Sequence, residues 1–77
     1  MKAVTSKLRL IVAERELREN RRLGIRTIAS ESGASVSAVQ RLMNNTIKNV
    51  PLDDLGRLCR YFGVGTGDIL VYEDIAA

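Results

Sequence analysis

Residues Ile25–Asn45 read IRTIASESGASVSAVQRLMNN, and within them one helical pattern stops at Gly33 while a second starts two residues later with almost no charge on it. Ile28 and Ala29 follow Ile25 at i+3 and i+4, the spacing of an apolar stripe, and Gly33 suits the left-handed position that closes a helix. Ser35 is a natural N-cap, because its hydroxyl can accept a hydrogen bond from a backbone N–H one turn on. Val39, Leu42 and Met43 at i, i+3 and i+4 then define the buried side of the second helix. Its outward positions are two serines, Ser35 and Ser37, with Gln40 and a single arginine, Arg41. A surface helix usually shows Lys and Glu there, so this face asks for another occupant. NNTIKN ends the helix, since Asn44, Asn45 and Asn49 favour turns.

Working outward, Thr5 or Ser6 is placed to cap a first helix with Leu8, Ile11 and Val12 at helical spacing and Leu10 and Leu17 widening the stripe. That helix is expected to end around Glu19–Arg22, before Gly24. Pro51 opens a fourth helix, to Phe62, with Leu52, Leu55, Leu58, Cys59 and Phe62 on one stripe. Asp53 and Asp54 lie in its first turn, where the helix dipole favours anions, and Cys59 is read as packing. GVGTGD follows a helix, not a strand, and lacks the spacing of a phosphate loop. Its plainer reading has Gly63 ending helix four, Val64 filling the core and Thr66 capping a short fifth helix with Asp68, Ile69 and Leu70. LVYEDI can extend as a strand, and a lone strand needs a symmetry mate or the core to lie against. The expected fold is all-α, five helices in a single domain over 1–77, with this C-terminal extended segment as the exception.

With 77 residues the chain has little room for an enclosed substrate pocket, which argues against an enzyme. One cysteine and no histidine exclude a disulfide framework, Cys/His zinc sites and Ser–His–Asp triads, so neither metal nor cofactor is expected. The apolar run Leu10–Ala13 is too short for a signal peptide or a membrane span, and the chain reads as cytoplasmic with no membrane partner. Charge is asymmetric: residues 1–49 hold ten Lys/Arg against four Asp/Glu, and 50–77 hold two against five. A basic N-terminal part suits a polyanionic partner. Glu14–Arg18 and Arg15–Glu19 are spaced for i,i+4 pairing, leaving Arg21, Arg22, Arg26 and Lys48 without an obvious partner.

Ile25–Asn45 resembles the helix-turn-helix of the Cro/cI-type (XRE-like, lambda-repressor-like) DNA-binding regulators. Ala29 lies four before Gly33, Val39 six after it and Leu42 three beyond. A small residue lets the helices cross closely, glycine takes the turn, and the β-branched residue and leucine lock the second helix to the first. LDDLGRLCRYFGVGTGDIL resembles the family's closing pair of helices, and the likeness covers about residues 5–72. The chain departs from the pattern at Gly24 and Ile25, where a polar cap and a glutamine are usual, in the longer connection RELRENRRLG, and at Pro51.

The resemblance implies a five-helix lambda-repressor-like domain that binds double-stranded DNA sequence-specifically, as a nucleoid-associated transcriptional regulator of the repressor kind. Position by position it makes Val36, Ser37, Gln40 and Arg41 the base-reading residues. It gives Arg26, Thr27, Ser35, Asn44, Asn45, Thr46, Lys48 and Asn49 to phosphates, with Arg21 and Arg22 of the longer connection as further candidates. A half-site reader usually works as a homodimer, and Leu70, Val71, Tyr72 and Ile75 are the candidate contact. The alternative is a protein-interaction module of the same fold, such as an antitoxin or a phage-derived adaptor. RNA binding has less support, because Tyr61, Phe62 and Tyr72 are the only aromatics.

Overall fold

A computed structural model of the chain describes residues 1–75. The elements run β1 (Lys2–Ser6), α1 (Leu8–Glu19), α2 (Ile25–Ser32), α3 (Val36–Asn44), α4 (Leu52–Phe62), α5 (Thr66–Ile69) and β2 (Leu70–Asp74). The five expected helices are present, but the fold is not all-α. β1 and β2 pair antiparallel, with Lys2 opposite Asp74, Val4 opposite Tyr72 and Ser6 opposite Leu70. The C-terminal strand therefore finds its partner in the chain's own N-terminus. Two side-chain links and one from the amino terminus hold the ribbon: Thr5 Oγ1 donates to Glu73 at 2.6 Å, Lys7 pairs with Glu73 at 2.7 Å, and the terminal amine pairs with Asp74 at 3.0 Å. Lys7 first, and then Thr5, holds the Glu73 carboxyl below its ordinary value.

Leu8, Val12, Leu23, Ile28, Val39, Leu42, Leu55, Leu58, Phe62 and Ile69 form the core. Three leucines expected on buried stripes lie outside it: Leu10 is 60% exposed, Leu17 84% and Leu52 82%. Helical geometry explains each of them. At about 100° per residue, Leu10 and Leu17 point about 160° and 180° away from Leu8, and Leu52 lies about 90° from the centre of the arc formed by Leu55, Leu58 and Phe62. Asp54, on the opposite flank of that arc, is buried instead. Cys59 packs half-buried against the core.

Capping also differs in detail from expectation. Thr5 belongs to β1, and Lys7 occupies the α1 N-cap, while the Ser6 hydroxyl accepts from the Leu8 N–H at 3.2 Å. Gly65, not Thr66, precedes α5, and the Asp68 carboxylate accepts the Gly65 N–H at 2.9 Å. Val64 packs half-buried against the core, as its position implies. The long RELRENRRLG connection resolves into a left-handed Asn20 (φ 53°) that closes α1 and a buried Leu23 that anchors the segment, its N–H donating to Glu16 at 2.7 Å.

Candidate nucleic-acid interface

α2 and α3 are set by the turn between them. Gly33 has φ 86°, a conformation that side chains strain to adopt, and its N–H closes α2 on the Ala29 carbonyl at 2.9 Å. Ser35 caps α3 as its type predicts, accepting from the Ala38 N–H at 3.1 Å. The other end closes on a left-handed Asn45 (φ 58°), after which the Thr46 N–H returns to the Arg41 carbonyl at 2.9 Å. Both ends of α3 are thus tied off.

Between those ends Ala38, Val39 and Leu42 are buried, and Val36, Ser37, Gln40, Arg41 and Asn44 are exposed. The exposed five span an arc of about 140° at helical spacing. Arg41 is the only charge on the arc, and among the described residues no carboxylate pairs with it. The same holds for Arg26 at the start of α2 and Lys48 in the loop after α3. Asn45, Thr46 and Asn49 are exposed in that loop, and Thr27 is half-buried in the first turn of α2.

Two placements change the sequence-derived site. Ser35 has both donors engaged within the molecule: its N–H reaches Asp54 Oδ1 at 3.3 Å and its hydroxyl reaches Asp54 Oδ2 at 3.1 Å. A buried carboxylate thus takes the position at the start of α3 that would otherwise offer Ser35 to a phosphate. Arg21, expected to be without a partner, pairs with Glu19 at 2.8 Å and with Glu31 at 2.9 Å. Glu31 also accepts from the Tyr61 hydroxyl. Through Glu31 the end of α2 is clipped to the segment after α1 and to α4. Arg21 first, and Tyr61 second, pull the Glu31 carboxyl down to about 2. Burial and then the hydrogen bond to Glu31 push the Tyr61 hydroxyl up.

Of the expected helix pairs, Arg15–Glu19 forms at 3.0 Å, whereas Glu14 and Arg18 are not within pairing distance. Arg15 also stacks over Tyr61 and Phe62, 5.4 and 5.3 Å from the ring centroids, and donates to the Tyr61 carbonyl. Arg22 is exposed beside an open depression of about 550 Å³ on the outer side of α1, lined also by Ala13, Leu17 and Asn20. Of the candidate dimer residues, Leu70 and Val71 are half-buried, while Tyr72 and Ile75 are exposed. Val4, 62% exposed, lies opposite Tyr72 on β1.

Sequence reasoning missed Asp54, Glu31 and Tyr61 as the groups that hold the helix pair. Asp54 is visible in the sequence only as an anion favoured by a helix dipole. Its link to Ser35, nineteen residues away, has no local signal.

A glycine-turned helix pair, whose second helix is locked at both ends and presents a polar arc with one unpaired arginine as its single charge, defines the helix-turn-helix class of DNA-binding domain. The family model for the Cro/C1-type HTH DNA-binding domain matches residues 7–74, and the chain belongs to that family. The matched span takes in all five helices and β2, while β1 precedes it. Comparison with curated proteins and with solved structures returns no match. No described helix is long and apolar enough to cross a membrane.

Proposed function

We propose that this domain represses transcription by binding an operator sequence in double-stranded DNA, with α3 lying in the major groove. The observation that carries the reading is the outward arc of α3. Arg41 suits a bidentate pair with guanine O6 and N7, Gln40 suits adenine, Val36 a thymine methyl, and Ser37 either a donor or an acceptor. Asn44 at the end of the arc and Arg26, Thr27, Asn45, Thr46, Lys48 and Asn49 around it are the phosphate contacts, with Ser35 serving as cap and bridge. Two such domains reading half-sites about 34 Å apart would act as a homodimer. The exposed Tyr72 and Ile75, with Val4 beside Tyr72, are the contact surface we assign to it.

The test is duplex binding across a salt series, with Arg41→Ala alongside. About five neutralised phosphates give a slope of log K against log salt near −4 to −5. Arg41→Ala should lose preference at one base position by about 1–3 kcal/mol while keeping most of its affinity for random duplex. Undetectable binding to any duplex at low salt refutes the reading and favours a protein partner of the antitoxin or adaptor kind.

A further inference from the structure

The first turn of α1 reaches the last turn of α3. An Arg9 Nη2 N–H donates to the Met43 carbonyl at 3.2 Å, and the Ser6 N–H donates to Asn45 Oδ1 at 2.9 Å. These two bonds cross 34 and 39 residues of sequence and bring an arginine from outside the helix-turn-helix to the end of its second helix. Met43 adjoins Asn44, the last position of the outward arc, and the loop residues Asn45 and Thr46 follow.

Arg9 is exposed, and among the described residues no carboxylate pairs with it, whereas Lys7, Arg15 and Arg57 each have one and Arg21 has two. Its bond to Met43 uses one of several guanidinium N–H donors and leaves the charge uncompensated. A cation at a helix C-terminus is favoured by the helix dipole, which accounts for its position but leaves its remaining donors open to solvent. α3 has nine residues. At about 1.5 Å per residue its length is about 13 Å, close to the ~12 Å width of the major groove. With the start of α3 against base edges, its end comes to the wall of the groove, where the sugar–phosphate backbone runs.

We propose that Arg9 is a DNA-phosphate contact, held at the C-terminal end of α3 by its bond to the Met43 carbonyl. The inference rests on the DNA-binding reading of α3 and adds to that site a residue from α1. Arg9 contributes charge and register here and carries no sequence preference.

The experiment measures anisotropy of a labelled random duplex over a salt series for the wild type, Arg9→Gln, Arg9→Lys and Arg18→Gln, with the thermal midpoint of each. Gln keeps an N–H donor for Met43 and removes the charge, while Lys keeps the charge. Arg18 is an exposed cation at the other end of the same helix. Removing one phosphate contact per domain should make the slope of Arg9→Gln shallower by about 0.9 for each domain bound, so that between 50 and 200 mM salt the wild type loses at least about threefold to fourfold more affinity than the variant. Arg9→Lys and Arg18→Gln should keep the wild-type slope. A lowered midpoint with unchanged slope in Arg9→Gln makes Arg9 a helix cap only and overturns the inference. A wild type that binds no duplex removes the DNA reading itself, an outcome read before any variant is compared.

Discussion

Replacing Asp54 by alanine tests how the start of α3 is held. Asp54 is 9% exposed and accepts from both Ser35 donors, at 3.3 and 3.1 Å, with the Arg57 guanidinium at 3.5 Å. Hydrogen bonds to a charged acceptor contribute about 1.5–3 kcal/mol each, but both of these are longer than the ~2.7–2.9 Å of strong charge-assisted bonds. Removing the carboxylate also relieves its own desolvation. The net loss is therefore about 2 kcal/mol. For a domain of this size that corresponds to a fall of about 8–16 °C in Tm, measured by circular dichroism. Ser35→Ala removes the cap on Ala38 as well as the Asp54 bond and should cost about 1–2 kcal/mol. Because the two residues share the interaction, the double variant should cost less than the sum of the singles by about 0.5–2 kcal/mol. A midpoint for Asp54→Ala within about 2 °C of wild type, or strict additivity in the cycle, would refute the anchoring role.

Two further predictions test the clip on α2 and the core. The Glu31 carboxyl lies at about 2 against an ordinary 4.5, so the stability it contributes is complete above about 4.5 and is lost as pH falls through about 2. The Tm advantage of wild type over Glu31→Gln should hold near neutral pH and shrink over that window in a pH series of thermal melts, and a constant difference would refute the assignment. Leu58→Ala should cost about 2–5 kcal/mol in urea unfolding, whereas Leu52→Ala should stay within about 0.5 kcal/mol, and equal losses would contradict the register of α4.

Much of the helix-turn-helix is legible locally. The stop at Gly33, the cap at Ser35 and the buried set Val39 and Leu42 each follow from interactions within about one turn, where side-chain spacing and backbone conformation decide the outcome. The outward arc follows with them, since a helix whose buried side is known has its exposed side determined too. Isolated leucines are harder to assign. Leu10, Leu17 and Leu52 look like stripe members until the direction of the core is known, and that direction belongs to the neighbouring elements.

By itself, then, the sequence determined the five helices, the turn and the residues that face outward from α3. Tertiary structure alone decided the partners that meet across long stretches of chain. KAVTS carries no strong strand pattern and becomes β1 because β2 needs an edge to pair with, 64 or more residues away. Asp54 becomes the anchor of Ser35, Glu31 joins Arg21 and Tyr61, and Arg9 arrives at the end of α3 in the same way. Such contacts depend on how packed elements orient polar side chains toward one another, and neither periodicity nor capping preference encodes that orientation.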